Sequence, residues 1–100
     1  QDYRDAAGML ERAVEYLPER PRIRYNLALI YQQLNQLRKA EAMLKSGLEK
    51  TPGHFDLLFA LADLYVKQNR FVEAKQFALK LNELYPDNPV GDQILQSIPR

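Results

Sequence analysis

A 34-residue recurrence runs through this chain and limits how it can fold. Pro18, Pro52 and Pro86 stand 34 residues apart, and the same step joins Ala6, Ala40 and Ala74. It joins Tyr3, Leu37 and Phe71, and also Leu10 and Leu44. Between the second and third units it pairs Leu27 with Leu61, Ala28 with Ala62, Tyr31 with Tyr65, and Asn35 with Asn69. Each series keeps side-chain size or backbone character in one register. A unit this short cannot bury its own apolar face, so neighbouring units must stack to make a core.

Each unit reads as two helices. Over 21–34 the apolar positions are Ile23, Leu27, Ile30, Tyr31 and Leu34, which is helical spacing. Over 37–50 they are Leu37, Ala40, Met43, Leu44, Gly47 and Leu48. No stretch alternates with period two between turn signals, so no strand is expected. Breakers fall between the helices. Pro21 and Pro89 suit a first helical turn, where the missing N–H costs little. Asn88 is placed to cap the helix that follows. Asn35 and Asn69 suit a left-handed turn between paired helices. Ala28 is expected to face Ala40, and Ala62 to face Ala74, because a methyl at a crossing lets two backbones approach.

The 34-residue period, with Leu-Ala-x-x-Tyr, then Ala, then Pro, resembles the tetratricopeptide repeat. Residues 21–54 carry Leu27, Ala28, Tyr31, Asn35, Leu37, Ala40, Leu44 and Pro52 at the family positions, and residues 55–88 carry Leu61, Ala62, Tyr65, Asn69, Phe71, Ala74 and Pro86. Residues 1–20 match only the second helix of a unit, through Tyr3, Ala6, Leu10, Ala13 and Pro18. Residues 89–98 read as a terminal capping helix. Departures are Arg24 and Leu58 at the frequent tryptophan position, Gly47 and Leu81 for a usual alanine, and Ala78 for a usual aromatic. The resemblance implies an all-α fold of about six helices in one domain over 1–100, a right-handed superhelix of antiparallel helix pairs.

It also implies a function. In this family the first helix of each pair lines a concave groove that holds a peptide or protein segment. The positions that match are Arg22, Tyr25, Asn26, Leu29, Gln32 and Gln33 in one unit. In the next they are Asp56, Phe59, Ala60, Asp63, Val66 and Lys67. Helical spacing puts Tyr25, Leu29 and Gln32 on one stripe and Asp56, Phe59, Asp63 and Val66 on another, both off the core stripe of Leu27, Tyr31, Leu61 and Tyr65. Tyr25, Leu29 and Phe59 are expected anchors, since aromatics bury much area at low entropy cost. The family's grip on a chaperone C-terminal carboxylate is not expected. Arg22 and Asn26 match it in part, but Asp56 and Ala60 stand where cations are wanted, and Asp56 would repel a carboxylate.

Other function classes find little support. The formal charge is +1, from 14 basic and 13 acidic residues, which gives no field to draw the chain to nucleic acid. The basic lean of Arg12, Arg20, Arg22, Arg24, Arg38 and Lys39 is broken by Glu11, Glu15, Glu19 and Glu41. No apolar run is long enough to insert in a membrane. With no cysteine, thiolate metal sites are excluded. His54 stands alone beside Pro52 and Gly53 and reads as a helix-start residue. Asp56 and Asp63 sit about 10 Å apart along a helix axis, with no pocket implied between them. No catalytic, cofactor or metal site is expected.

Two further readings compete with groove binding. The first helix has no preceding partner, so Tyr3, Ala7, Leu10, Val14 and Leu17 are expected to lie partly open and to favour pairing of two copies. The resemblance also admits an accessory domain of a larger enzyme or redox protein. The opening Gln1-Asp2-Tyr3 reads as a piece of a longer protein. Cytoplasm and bacterial periplasm both fit.

Overall fold

A computed structural model describes residues 2–99; Gln1 and Arg100, the ends of the expected domain, lie outside it. The order is α1 (Tyr3–Tyr16), α2 (Pro21–Gln33), α3 (Leu37–Lys50), α4 (Phe55–Lys67), α5 (Phe71–Leu84) and α6 (Val90–Ser97). Among the described residues there is no strand. The fold is all-α, as the recurrence requires. The chain forms two compact units, Gln1–Pro52 and Gly53–Arg100.

In the first unit α2 packs against both α1 and α3. The Asp2 side chain caps α1, accepting from the backbone N–H of Arg4 at 2.9 Å. Pro21 opens α2 at its first position. Asn35 then turns left-handed, with φ 58°. The Gln36 N–H reaches back to the Tyr31 carbonyl at 2.8 Å and the Asn35 N–H to Gln32 at 3.0 Å. That pair of bonds closes the orphan carbonyls of the helix end in a Schellman motif. Leu27, Ala28, Ala40 and Leu44 are fully buried, so these two alanines do sit in the core. The Tyr31 hydroxyl donates to Glu11 Oε2 at 2.5 Å and ties α2 to α1. Burial, then the hydrogen bond and charge of Glu11, push the Tyr31 phenol up to about 12.

Arg24 gives the first unit a polar layer. It is 7% exposed. Its Nε donates to the Pro18 carbonyl at 3.3 Å, and its Nη1 donates to Ser46 Oγ at 2.6 Å. The Ser46 hydroxyl in turn donates to the Met43 carbonyl at 2.9 Å. The arginine at the frequent tryptophan position is therefore buried and hydrogen-bonded, as a buried cation requires.

The second unit repeats the plan with an apolar layer. Leu58 fills the Arg24 position and is 3% exposed. Leu57, Leu61, Ala62, Leu64, Ala74 and Ala78 are fully buried around Tyr65. Asn69 turns left-handed at φ 59°, and the Arg70 N–H reaches the Tyr65 carbonyl at 2.8 Å. α6 packs on α5 and touches α4. It comes close because Gly91 has no side chain: a Cβ there would lie 2.7 Å from the Ala78 carbonyl oxygen. Beside it, Asn82 donates to Asp92 at 2.9 Å. Pro89, expected in the first turn of α6, is its N-cap instead, and Asn88, the expected cap, lies one residue earlier with its Oδ1 accepting from the Val90 N–H at 2.9 Å. At the other end of the unit, Tyr85 donates its hydroxyl to the Gly53 carbonyl at 2.6 Å.

Candidate partner-binding surfaces

The outward stripe of α2 belongs to the first unit. Its Leu-Ala-x-x-Tyr residues face inward, so the residues between them point away from the core. Arg22, Asn26, Leu29 and Gln33 are exposed, while Tyr25 and Gln32 are half-buried. The Arg22 guanidinium lies 5.3 Å from the Tyr25 ring centroid, a cation–π distance that steadies the ring. Leu29 is 39% exposed and offers an apolar contact with amides on either side. This stripe can bury an apolar side chain against Tyr25 and Leu29 and hydrogen-bond a backbone through Asn26, Gln32 and Gln33.

The outward stripe of α4 belongs to the second unit and differs in character. Phe59 is half-buried and stacks on Phe55, with ring centroids 6.4 Å apart and planes 4° apart. Phe55 in turn meets the edge of Tyr85 at 5.2 Å. The aromatic surface therefore extends beyond the single ring expected from the sequence. Asp63 pairs with Lys67 at 2.8 Å, one helical turn on, and Asp56 is half-buried. Exposed pairs of this kind are weak and exchange readily.

Ala60 corrects the sequence reading. It was expected on the binding face, but it is 5% exposed. Its methyl is short, and α4 is packed by both α5 and α6. Asn26, at the same register on α2, has the longer side chain and is exposed.

The expected open face of α1 is also partly corrected. Tyr3 and Leu17 are exposed, Leu10 and Val14 are half-buried, and Ala7 is buried at 6%. The cause is α2, which packs on α1. Ala78 and Asn82 share the register of Leu10 and Val14, and they meet α6, the helix that follows α5. By the same register Leu10 and Val14 turn toward α2, the helix that follows α1. The residue missed was Met9, at 64% exposed. Its register mates Met43 and Phe77 mark it as a position for helix contact.

Among the described residues no group of three or more His, Asp or Glu could hold a metal ion. His54 is the backbone N-cap of α4, and its Nδ1 is buried without a hydrogen-bond partner. Among the described residues no helix is long and apolar enough to cross a membrane.

A family model described as tetratricopeptide repeat matches residues 1–54 and again residues 40–98. No curated protein matches the chain.

Proposed function

Because the chain belongs to the tetratricopeptide repeat family, whose members generally mediate protein–protein interactions, we propose that it binds a protein partner through the outward stripe of α2 in the first unit and that of α4 in the second, each a contact surface within its own unit. The observation that carries this is the outward placement of large apolar side chains beside the core. Leu29 is 39% exposed, and Tyr25 and Phe59 are only half-buried, on helices whose inner faces are already filled. Apolar surface of this kind beside polar amides is the composition of a contact surface. The role is that of a non-enzymatic scaffold, with a protein or peptide partner.

The test removes the anchors and keeps the fold. A partner captured by the immobilised chain is purified, and its direct affinity is measured. Tyr25→Ala with Phe59→Ala should weaken it about 30-fold or more, as expected for two hot-spot residues worth roughly 2 kcal/mol together. Tyr25→Ala alone should give a smaller loss with the second unit untouched. Unchanged affinity in a double variant of wild-type helicity and melting would sink the proposal.

A further inference from the structure

The outward stripes of α2 and α4 stand one recurrence apart, so each position on one has a mate on the other. On α2 the aromatic ring is Tyr25, and the Arg22 guanidinium lies 5.3 Å from its centroid. That helix supplies its own cation to the ring. On α4 the register mate of Tyr25 is Phe59, and the mate of Arg22 is Asp56. The ring is kept, and the residue one turn before it has changed sign. Phe59 stacks on Phe55 and is half-buried, so part of its surface meets solvent. Other rings of the chain hold a cation: Lys39 lies 5.7 Å from the Tyr31 centroid, and Arg70 lies 4.6 Å from that of Tyr65. Among the described residues no such cation stands over Phe59. One turn after the ring, the mate of Leu29 is Asp63, whose side chain is 40% exposed. Its carboxylate pairs with Lys67 at 2.8 Å, a bond to a flexible side chain that is itself 62% exposed.

Resting on the binding role proposed above, we propose that the α4 stripe takes an arginine side chain of the protein partner, with its guanidinium against the Phe59 ring and hydrogen-bonded to the Asp63 carboxylate. Phe59 and Asp63 are four residues apart and share a helical face, so one side chain can meet both. The face of an aromatic ring is negative and attracts a cation. A guanidinium suits this pair better than an ammonium. It is planar, so it can lie on a ring while its edge forks to a carboxylate, and it is more weakly hydrated. Lys67 competes for Asp63 only as a point charge on a long stem, and exposed pairs of that kind exchange readily. A partner carboxylate is refused, because the ring face and Asp63 both repel it. On α2 the Arg22 guanidinium already fills the corresponding place beside Tyr25.

Blocked peptides serve as probes: acetyl-Gly-Leu-Arg-Leu-Gly-amide, and the same peptide with lysine or glutamate at its centre. Binding to the intact, isotope-labelled chain is followed by backbone amide shifts at low salt, which resolve weak affinities. The arginine peptide should bind best, the lysine peptide about threefold more weakly and the glutamate peptide not at all, with the shifts centred on α4. Asp63→Asn should weaken the arginine peptide about tenfold, as for loss of a charge-assisted bond. Phe59→Leu keeps apolar bulk, removes the ring and should cost about threefold. Lys67→Gln should strengthen binding about threefold, since Asp63 loses its competitor, a gain that a merely structural role would not give. Asp63 and Lys67 lie at the surface, so these two variants should melt as the wild type does. No saturable shift on α4 overturns the proposal. Equal affinity for the arginine and glutamate peptides does so too, as does an affinity indifferent to both Asp63→Asn and Lys67→Gln. With the purified partner, a loss in the Tyr25→Ala, Phe59→Ala double variant beside indifference to Asp63→Asn leaves the binding role standing and overturns the arginine. Indifference to the double variant overturns the binding role itself, and the arginine with it. A concentration-dependent mass that Asp63→Asn abolishes also overturns the proposal, since a second copy would then bring the cation.

Discussion

The α2–α3 pair and the α4–α5 pair are built on one register, yet they fill one buried slot in opposite ways. In the first the slot holds Arg24, 7% exposed and bonded to Pro18 and Ser46. In the second it holds Leu58, 3% exposed. The helices around the slot end in the same way, at left-handed Asn35 and Asn69. The backbone plan therefore does not depend on the chemistry of this layer. What the layer decides is which neighbours the pair can tolerate. A buried guanidinium needs an acceptor on the facing helix; a leucine needs only space.

Exchanging the two solutions tests that view. Leu58→Arg should have the largest effect. It puts a cation at a site where the register mate of Ser46 is Lys80, so the guanidinium lacks the hydroxyl acceptor that Arg24 has and meets a like charge. A loss of about 3–5 kcal/mol in a urea titration is expected for an unpaired buried charge. Equal stability would show that the slot is indifferent and the comparison empty. Arg24→Leu should cost far less, within about 1 kcal/mol, because a buried polar cluster replaced by an apolar group of similar size is close to neutral. Ser46 keeps its bond to the Met43 carbonyl, and Pro18 is exposed to water. A loss as large as that of Leu58→Arg would mean that the first unit depends on its polar layer.

The smallest expected effect concerns a bond of the first unit. Tyr31→Phe removes the hydroxyl that donates to Glu11. At neutral pH it should cost about 1 kcal/mol, as for one charge-assisted bond at a partly exposed site. The pH dependence is the sharper measurement. The folded phenol titrates at about 12 against an ordinary value of 10.0. Its stabilising contribution is thus fully present below pH 10 and is lost as pH rises through 10 toward 12. The wild type should lose stability relative to Tyr31→Phe across that window. Parallel curves for the two proteins would contradict the assigned cause.

The plan of the fold was legible because its signals are local. Pro21, Asn35, Asn69 and Asn88 act within a few residues of themselves, and Ala28, Ala40, Ala62 and Ala74 recur at one fixed step. Arg24 was not legible as a core residue. Its partners Pro18, Met43 and Ser46 lie 6, 19 and 22 residues away, and nothing near Arg24 in the sequence announces them. The same holds for Glu11 with Tyr31, which are 20 residues apart. For the outward stripes of α2 and α4, spacing gave the register but not the depth at which each residue sits. Ala60 and Asn26 share a register and differ in length, and only the longer one emerges. On α1 the spacing marked an apolar stripe but could not say which side of it α2 would occupy. Met9 became visible once Met43 and Phe77 showed what that register touches.

The bond from Tyr85 to Gly53 has a mechanical consequence. It joins the residue just after α5 to the carbonyl two residues before α4, across the open end of that hairpin. A force that peels the two helices apart from that end meets this clasp before it meets the leucine core. The register mate of Tyr85 in the first unit is Thr51, whose side chain is too short to make such a span. Under tension the α2–α3 hairpin should open from its free end without that first barrier, so the two pairs, alike at rest, would yield at different loads.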